Sequence, residues 1–222
     1  MLQDLSFPGP PIKRIEEAWK MDKLSMKMKK MKLINVALLW WVAISIAMPS
    51  AYGSVDQSPR AVEKWFKELR RGKEKLTKLH FYLHDTVTAK NPTTVQVAEA
   101  NMTSKSPTLF GETVVLDDPL TVGPEPSSKI IGHAQGIYSS VSQEGYSQIM
   151  ILNLIFNYGK FNGSTLSLLG SNPIFNEYRE MPILGGTGAF RLARGIATEK
   201  SYAVNVTTKN AIAEHHVLVL HY

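Results

Sequence analysis

Hydrophobic and polar residues alternate with a period of two through much of the chain after residue 76. The segment Leu79–His84 reads Leu-His-Phe-Tyr-Leu-His, so every second side chain is Leu or Phe. Successive side chains of a strand point to opposite faces, and this repeat therefore predicts a β-strand. Further strands are predicted at Thr94–Ala100, Thr113–Leu116, Ile130–Tyr138, Tyr146–Phe156, Ser164–Leu169, Glu180–Leu184, Gly195–Val206 and Ala211–Tyr222.

Residues that favour turns separate the predicted strands, among them Asp117-Asp118-Pro119 and Asn172-Pro173. No segment after residue 76 shows a helical stripe of apolar residues. We therefore predict an all-β domain, either an antiparallel sandwich or a closed barrel. Closure is favoured because it removes unpaired strand edges, which are a hazard for a secreted β protein.

One short amphipathic helix is predicted ahead of the strands, within Ser58–Gly72. The segment opens with an N-cap serine and a first-turn proline, carries apolar residues at helical spacing, and ends at glycine. The chain is thus divided into an N-terminal segment at residues 1–53, a leader with a short helix at 54–75, and the β domain at 76–222.

Residues 1–53 have the pattern of a secretory signal peptide with an upstream extension. A lysine cluster precedes the apolar run Leu33–Met48, and Ala51-Tyr52-Gly53 supplies the small residues of a cleavage site. A transmembrane anchor is the alternative, but this run has 16 residues and spanning a bilayer takes ~20. We expect cleavage before about Ser54, secretion to the extracellular space, and no membrane association afterwards.

Charge and composition narrow the classes of function. Of the 25 Lys and Arg residues and the 19 Asp and Glu residues, 8 and 4 lie in residues 1–53, which leaves 17 and 15 for the rest. The folded domain is therefore nearly neutral, and we expect no nucleic-acid partner. The sequence contains no cysteine, which excludes a disulfide framework, a Cys-ligated metal centre and a thiol nucleophile.

Three acceptor sequences for N-glycosylation accompany the secretion signal. They begin at Asn101, Asn162 and Asn205. Asn101 and Asn162 stand beside turn-forming residues, and we expect both to be exposed.

The run Ile183–Phe190 begins like a dinucleotide-binding motif, with Gly-x-Gly after a strand. Such a site needs a third small residue and an opening helix so that backbone N–H groups face the pyrophosphate. Arg191 occupies the third position instead. We interpret the run as a glycine-rich turn with positive φ values and expect no nucleotide cofactor.

The histidines do not predict a metal centre. His80 and His84 share one face of a strand, but four residues at ~3.3 Å each place their Cα atoms ~13 Å apart. His215 and His216 are adjacent and point to opposite faces. No histidine and carboxylate stand at a known ligand spacing, so we expect no metal and no other cofactor.

Two charged residues in apolar surroundings are candidates for function. Asp85 ends the aromatic strand that contains Leu79–His84, and Arg179 opens the strand predicted at Glu180–Leu184. Charges on strands that face a barrel lumen are costly unless they are used or paired. The alternative is that each is a surface residue or part of a strand-end ion pair.

An ordered set of motifs resembles the plant dirigent family. The motifs are His84-Asp85, Asp117-Asp118-Pro119-Leu120-Thr121, Ala134-Gln135-Gly136-Ile137-Tyr138, Phe161-Asn162-Gly163-Ser164-Thr165-Leu166, Arg179-Glu180, Gly185-Gly186-Thr187-Gly188-Ala189-Phe190 and Ala193-Arg194-Gly195. The resemblance covers about Lys75–Tyr222. It implies an eight-stranded antiparallel β-barrel, commonly a homotrimer, in the plant apoplast.

The resemblance also implies a set of site residues. Asp85 and Arg179 match the family's pocket aspartate and arginine and are the catalytic candidates, and Tyr138 matches a pocket tyrosine. A second pocket aspartate of lignan-forming members falls at Asn172, and their cysteine pair is missing. The substrate-binding candidates are Tyr138, Asn172, Phe190 and Arg194. The segment Glu180–Arg191 looks more like the branch that includes pterocarpan synthases.

Three functions remain open at this point, all with phenolic small molecules as ligands. In the first, the protein is a template that sets the stereochemistry of coupling between monolignol radicals made by an external laccase or peroxidase. In the second, it is an enzyme that dehydrates an isoflavanol, with Asp85 as the acid and Arg179 stabilising a developing phenolate-like oxygen. In the third, it is a secreted phenolic-binding barrel without a stereochemical role.

Overall fold

The computed structural model describes residues 20, 21, 23, 24, 26–28, 56–69 and 72–222. The chain divides into two compact units, Met1–Ser50 and Ala51–Tyr222. The described residues of the first unit are helical. The predicted signal run and its cleavage site lie outside the described residues. In the described part of the chain, no helix is long and apolar enough to span a membrane.

The second unit contains a helix, α1 (Pro59–Glu68), followed by nine strands. The strands are β1 (Lys75–Asp85), β2 (Thr94–Ala98), β3 (Thr113–Thr121), β4 (Ile130–Ser140), β5 (Gln148–Phe156), β6 (Thr165–Asn172), β7 (Arg179–Thr187), β8 (Arg194–Asn205) and β9 (Asn210–His221). Helix α1 begins as predicted, because the Ser58 side chain accepts a hydrogen bond from the Ala61 N–H at 3.3 Å.

The strands form one closed antiparallel barrel. From β3 to β9 each strand pairs with the next, β9 pairs with β1 along its whole length, and β1 pairs with β3 to close the ring. The ring therefore has eight strands, which confirms the predicted eight-stranded antiparallel β-barrel. The remaining strand, β2, pairs with residues 113–116 of β3, whereas β1 pairs with residues 120 and 121 of the same strand.

Every second side chain of the strands points inward and is buried, and these side chains fill the interior of the barrel. In β5, Gln148, Met150, Leu152, Leu154 and Phe156 point inward, and the residues between them are exposed or partly so. Burying an aliphatic or Phe side chain contributes roughly 1.5–3 kcal/mol, so the inward rows of the eight strands supply the core that a cysteine-free domain requires.

One predicted turn is instead part of a strand. Asp117-Asp118-Pro119 lies within β3, because Asp118 continues the inward row between Leu116 and Leu120. Pro119 falls between the stretch of β3 that pairs with β2 and the stretch that pairs with β1. A ladder hydrogen bond from its nitrogen is not needed in that gap, so proline is tolerated.

The glycine-rich run was predicted to be a turn with positive φ values, and only its last part forms one, because Gly185 and Gly186 lie in β7. Strand β7 ends at Thr187, and a single 3₁₀ turn, Gly188–Phe190, follows in place of a helix. Gly188 has φ of 64°, and a Cβ there would lie 2.6 Å from the Ser164 Oγ. The run therefore closes this end of the barrel, and its geometry is not that of a phosphate-binding loop.

Candidate functional site

A cavity of about 740 Å³ opens at the end of the barrel where β1 finishes and β9 begins. This volume lies in the range of small-molecule sites. Four of the predicted site residues, Asp85, Tyr138, Asn172 and Arg179, line the cavity together. They come from β1, β4, β6 and β7, so it is barrel closure that brings them to one place.

Asp85 of β1 faces a second carboxyl group, Asp118 of β3, and the pairing of these two strands closes the barrel. Leu83 pairs with Leu120, and continuing this register by two residues places Asp85 opposite Asp118. Asp118 is 1% exposed, and its Oδ1 accepts hydrogen bonds from the Thr93 hydroxyl at 2.6 Å and the Thr94 hydroxyl at 3.1 Å. Asp85 is half-buried, and its Oδ1 has no hydrogen-bond partner among the described residues.

Burial makes both carboxyl groups weak acids. Desolvation, together with the charge of Asp85, raises the pKa of Asp118 to about 7. Desolvation also raises the pKa of Asp85. The pair therefore retains a proton at pH values where exposed aspartates are fully ionised.

Arg179 is the buried cation of the cavity, and it is paired. It lies opposite Glu199 in the β7–β8 register, and its Nη2 donates a hydrogen bond to the Glu199 carboxylate. Its Nη1 donates to the Asn176 carbonyl at 3.2 Å and to the Ser201 hydroxyl at 3.0 Å. Its Nε is buried without a partner in the described part of the chain. The alternative of a strand-end ion pair is thus realised.

Tyr138 and Asn172 add neutral polar groups to the cavity wall. Burial raises the pKa of Tyr138, so its hydroxyl remains protonated. Asn172 is buried, its Nδ2 lies 2.9 Å from the Met150 Sδ, and its Oδ1 has no partner within the described ranges. One side of the cavity thus contains a phenol hydroxyl and a buried amide.

His215 is a cavity residue that the sequence did not single out. It lies on β9, is 1% exposed, and stacks on Phe81 with ring centroids 5.3 Å apart. Neither ring nitrogen has a partner among the residues described. Burial lowers the pKa of His215, so the imidazole is neutral at pH 7. The inward alternation Ala213, His215, Val217 was the signal that could have identified it.

Two predicted substrate-binding residues lie away from the cavity. Phe190 is 0% exposed at the opposite end of the barrel, where its ring packs against Phe161 and His221. Arg194 lies on the exposed outer surface and forms an ion pair with Glu74 at 2.6 Å. Neither side chain lines the cavity, so the structure corrects both assignments: Phe190 is a core residue and Arg194 a surface residue.

The glycosylation candidates also differ in exposure. Asn101 and Asn205 are exposed, whereas Asn162 is half-buried with its Oδ1 enclosed. The hydroxyl residue of the Asn162 acceptor sequence, Ser164, is fully buried and accepts a hydrogen bond from the Ala189 N–H at 3.0 Å. The expected exposure of Asn162 was therefore wrong, because the turn that contains it packs onto the barrel end.

The ionisable residues of the cavity define what it can do. Two carboxyl groups with raised pKa values, a neutral imidazole and a guanidinium group line a space whose walls are otherwise mainly apolar, including Leu116, Leu152 and Ile212. Such a site suits a neutral aromatic ligand that carries hydroxyl groups, and it can protonate a leaving oxygen away from bulk water.

Comparison with known proteins agrees with this architecture. A protein-family model described as "Dirigent-like protein" matches residues 76–220. The chain is 54% identical over 150 residues to pterocarpan synthase 1 of Glycyrrhiza echinata, covering 67% of this chain and 80% of that protein. It is 49% identical over 148 residues to dirigent protein 21 of Arabidopsis thaliana, covering 67% and 78%.

A solved structure of a pterocarpan synthase dirigent protein gives the same result for the fold. The two chains superimpose with a TM-score of 0.64 at 52% identity, over 68% of this chain and 87% of the other. The family model and the identities over the whole β domain confirm the resemblance seen in the ordered motifs. This chain belongs to the dirigent family.

Proposed function

We propose that the protein is a pterocarpan synthase-like dehydratase, which removes water from an isoflavanol-type phenolic substrate and closes a new ring. The observation that carries this proposal is that two carboxyl groups, Asp85 and Asp118, line one mainly apolar cavity, where burial raises the pKa of each. The 54% identity to pterocarpan synthase 1 of Glycyrrhiza echinata supports the choice of reaction.

In the proposed mechanism, Asp85 is the general acid. Its carboxyl group donates a proton to the benzylic hydroxyl, the C–O bond breaks, and water leaves. A phenol of the substrate then loses its proton to water and donates electrons, which yields a neutral quinone methide. A second phenol of the same molecule attacks the electron-poor carbon, its proton returns to the Asp85 carboxylate, and the first phenol oxygen regains a proton from water. The net change is the loss of one water, so no oxidant is required.

Arg179 and Tyr138 have supporting roles in this scheme. The buried guanidinium of Arg179 is held in place by the Glu199 ion pair, and its positive charge lies at the cavity wall, where it stabilises the phenol oxygen that changes charge during the reaction. The Tyr138 hydroxyl and the Asn172 carbonyl orient the hydroxylated rings. Orientation of this kind determines which face of the quinone methide meets the attacking phenol.

The second candidate is a template for stereoselective phenoxy radical coupling, as in lignan-type biosynthesis. The size of the cavity and its mainly apolar wall favour it, since coupling requires two aromatic radicals to be held face to face. An external laccase or peroxidase would supply the radicals. A difference of only ~1.4 kcal/mol between two approaches gives a tenfold preference.

One experiment separates these candidates. Purified protein is incubated with an isoflavanol, without oxidant, and the products are resolved by chiral chromatography. Turnover of the parent protein supports the dehydratase, and product formation only after laccase is added supports the template. A racemic product under both conditions leaves a phenolic-binding barrel as the remaining function.

Two variants test the acid directly. Asp85→Asn keeps the size of the side chain and removes the proton, so the rate should fall ~10²–10⁴-fold. Asp117→Asn makes the same chemical change on the outer face of β3, where Asp117 pairs with His133 at 2.9 Å, and should behave like the parent. A parent-like rate for folded Asp85→Asn would contradict the proposed mechanism.

Assembly into a homotrimer is part of the proposal. An exposed apolar row crosses four neighbouring strands on the outside of the barrel, with Val115 opposite Ile137, Ile137 opposite Ile151, and Ile151 opposite Leu169. Contiguous exposed apolar surface favours association. Light scattering after size-exclusion chromatography should give a trimer for the parent and a smaller species for Ile151→Lys.

Secretion to the apoplast completes the proposal, and the signal pattern of residues 1–53 supports it. N-terminal sequencing of protein secreted from plant cells should begin near Ser54, and a chain beginning upstream of Leu33 would contradict this. Glycosylation is expected at Asn101 and Asn205, which are exposed. Glycopeptide mass spectrometry of the secreted protein tests the two positions.

A further inference from the structure

Three potential metal ligands lie together on the outer face of the β1–β9 pair. His80 of β1 stands directly opposite His216 of β9, and Glu214 lies two residues before His216 on the same face. One ligand atom from each residue lies within 4.8 Å of the other two. The side chains of His80, Glu214 and His216 are 45%, 22% and 60% exposed, so solvent ions can reach them.

The distances approach those of a tetrahedral site. Zinc–ligand bonds of about 2.0–2.1 Å in tetrahedral geometry separate neighbouring ligand atoms by about 3.3 Å. The His216 Nε2 lies 3.3 Å from the Glu214 Oε1, and the His80 Nε2 lies 2.8 Å from the same oxygen. The two imidazoles are stacked with centroids 4.4 Å apart, so both Nε2 atoms approach the carboxylate from one side.

Neighbouring groups hold the carboxylate in place and keep it available. The Tyr82 hydroxyl donates a hydrogen bond to the Glu214 Oε1 at 3.3 Å, the kind of outer contact that orients metal-ligating carboxylates. Lys200 lies opposite Glu214 on β8, but its ammonium group lies 3.7 Å from Glu177 and over the Tyr178 ring. A cation at the site therefore does not compete with a lysine for this carboxylate.

We propose that His80, Glu214 and His216 form a Zn²⁺ site, with water as the fourth ligand, that clips the first and last strands of the barrel together. The donor set of two imidazoles and one carboxylate is one that Zn²⁺ accepts with an open position. The ligands from β1 and β9 are 134 residues apart in sequence. A metal clip that closes so long a loop contributes to stability through the entropy of the unfolded chain.

The site lies on the outer face of the barrel and does not depend on the proposed function. His215 lies between two of the ligands in sequence but points inward to the cavity. Because successive side chains of β9 point to opposite faces, the metal ligands and the catalytic groups lie on opposite sides of the barrel wall. Zinc binding is therefore expected to change stability without changing turnover.

Calorimetric titration of untagged protein with ZnCl₂ at pH 7.5 tests the site. We expect one ion per chain and a melting temperature that rises with zinc and then saturates. Failure of the parent protein to bind zinc at pH 7.5 would overturn the proposal.

Variants identify the ligands. His80→Gln with His216→Gln should weaken binding by more than the ~10–100-fold that loss of an outer contact costs. His133→Gln is the matched control, since His133 is also exposed and also contacts a carboxylate, that of Asp117 at 2.9 Å, and it should bind zinc like the parent. Because the substituted side chains are on the surface, circular dichroism should show an intact fold. Equal zinc affinity in the double variant would place the ion elsewhere.

Discussion

Asp85 and Asp118 occupy opposing positions on the two strands whose pairing closes the barrel, and the charge of Asp85 raises the pKa of Asp118. The pairing of β1 with β3 thus closes the barrel and also brings together the two carboxyl groups whose pKa values are raised. Two carboxyl groups in one apolar site cannot both ionise easily, so the two titrate as a coupled pair that holds one shared proton.

Stability should depend on the ionisation of Asp118. Its folded-state pKa of about 7 lies above the unfolded value of ~3.9. Its contribution to the free energy of unfolding is therefore fully present below pH ~4 and is lost as the pH rises through about 7. Urea denaturation at a series of pH values should show the parent losing a few kcal/mol relative to Asp118→Asn over this interval. Parallel pH profiles for parent and variant would contradict the shifted pKa.

The sequence predicted much of this fold because the signal for each strand is local. All nine strands occur where alternation predicted them, with ends that differ by a few residues. The error at Asp117-Asp118-Pro119 arose because residues that favour turns were weighed more heavily than the inward row Leu116, Asp118, Leu120. That error also hid Asp118 as a site residue.

Features that depend on the pairing of strands distant in sequence could not be predicted from the sequence. The register that places His80 opposite His216 is set by the closed barrel, and no spacing along the chain reveals it. Phe190 and Arg194 were assigned from motif membership alone, and a family motif contains residues that serve packing as well as residues that serve binding. By contrast, Asp85 and Arg179 were identified from charge on an apolar strand, and both line the cavity.

The buried ion pair of Arg179 and Glu199 should show strong coupling. Glu199→Gln leaves a buried guanidinium without its counter-charge, and such a loss costs ~3–5 kcal/mol. Combining it with Arg179→Met removes the unpaired charge, so the double variant should be more stable than the sum of the single effects implies. Urea denaturation measures all three proteins. The exposed pair Lys67 and Glu63 is the control and should contribute below ~1 kcal/mol. Simple additivity at Arg179 and Glu199 would contradict the interpretation.

His215 should be a ligand contact that lowers stability. His215→Phe keeps the stacking on Phe81 and removes two buried nitrogens without partners. Burying an unsatisfied polar group costs ~1–3 kcal/mol, so the variant should melt at a higher temperature than the parent. Its affinity for a hydroxylated aromatic ligand should fall, because the imidazole no longer meets the ligand. Fluorescence titration gives the affinity, and a parent-like value would show that His215 does not contact the ligand.

Phe190 should stabilise the barrel without contributing to ligand binding. It is fully buried at the closed end, where its ring lies 4.7 Å from that of Phe161 and 5.7 Å from that of Phe156. Truncating such a core aromatic leaves a cavity and costs ~3–5 kcal/mol, so Phe190→Ala should melt well below the parent. Phe190→Leu fills more of the space and serves if the alanine variant does not fold.

Ligand affinity distinguishes this packing role from a binding role. At a temperature where each protein is folded, Phe190→Leu should bind a hydroxylated aromatic ligand as tightly as the parent does, because its side chain lies at the end of the barrel opposite the cavity. Tyr138→Phe should show the reverse, with weaker binding and little change in melting temperature, since it removes only a hydroxyl that faces the cavity. Weaker binding by a stable Phe190→Leu would show that the ligand reaches the closed end. Substrate contact would then have to be assigned to Phe190 after all.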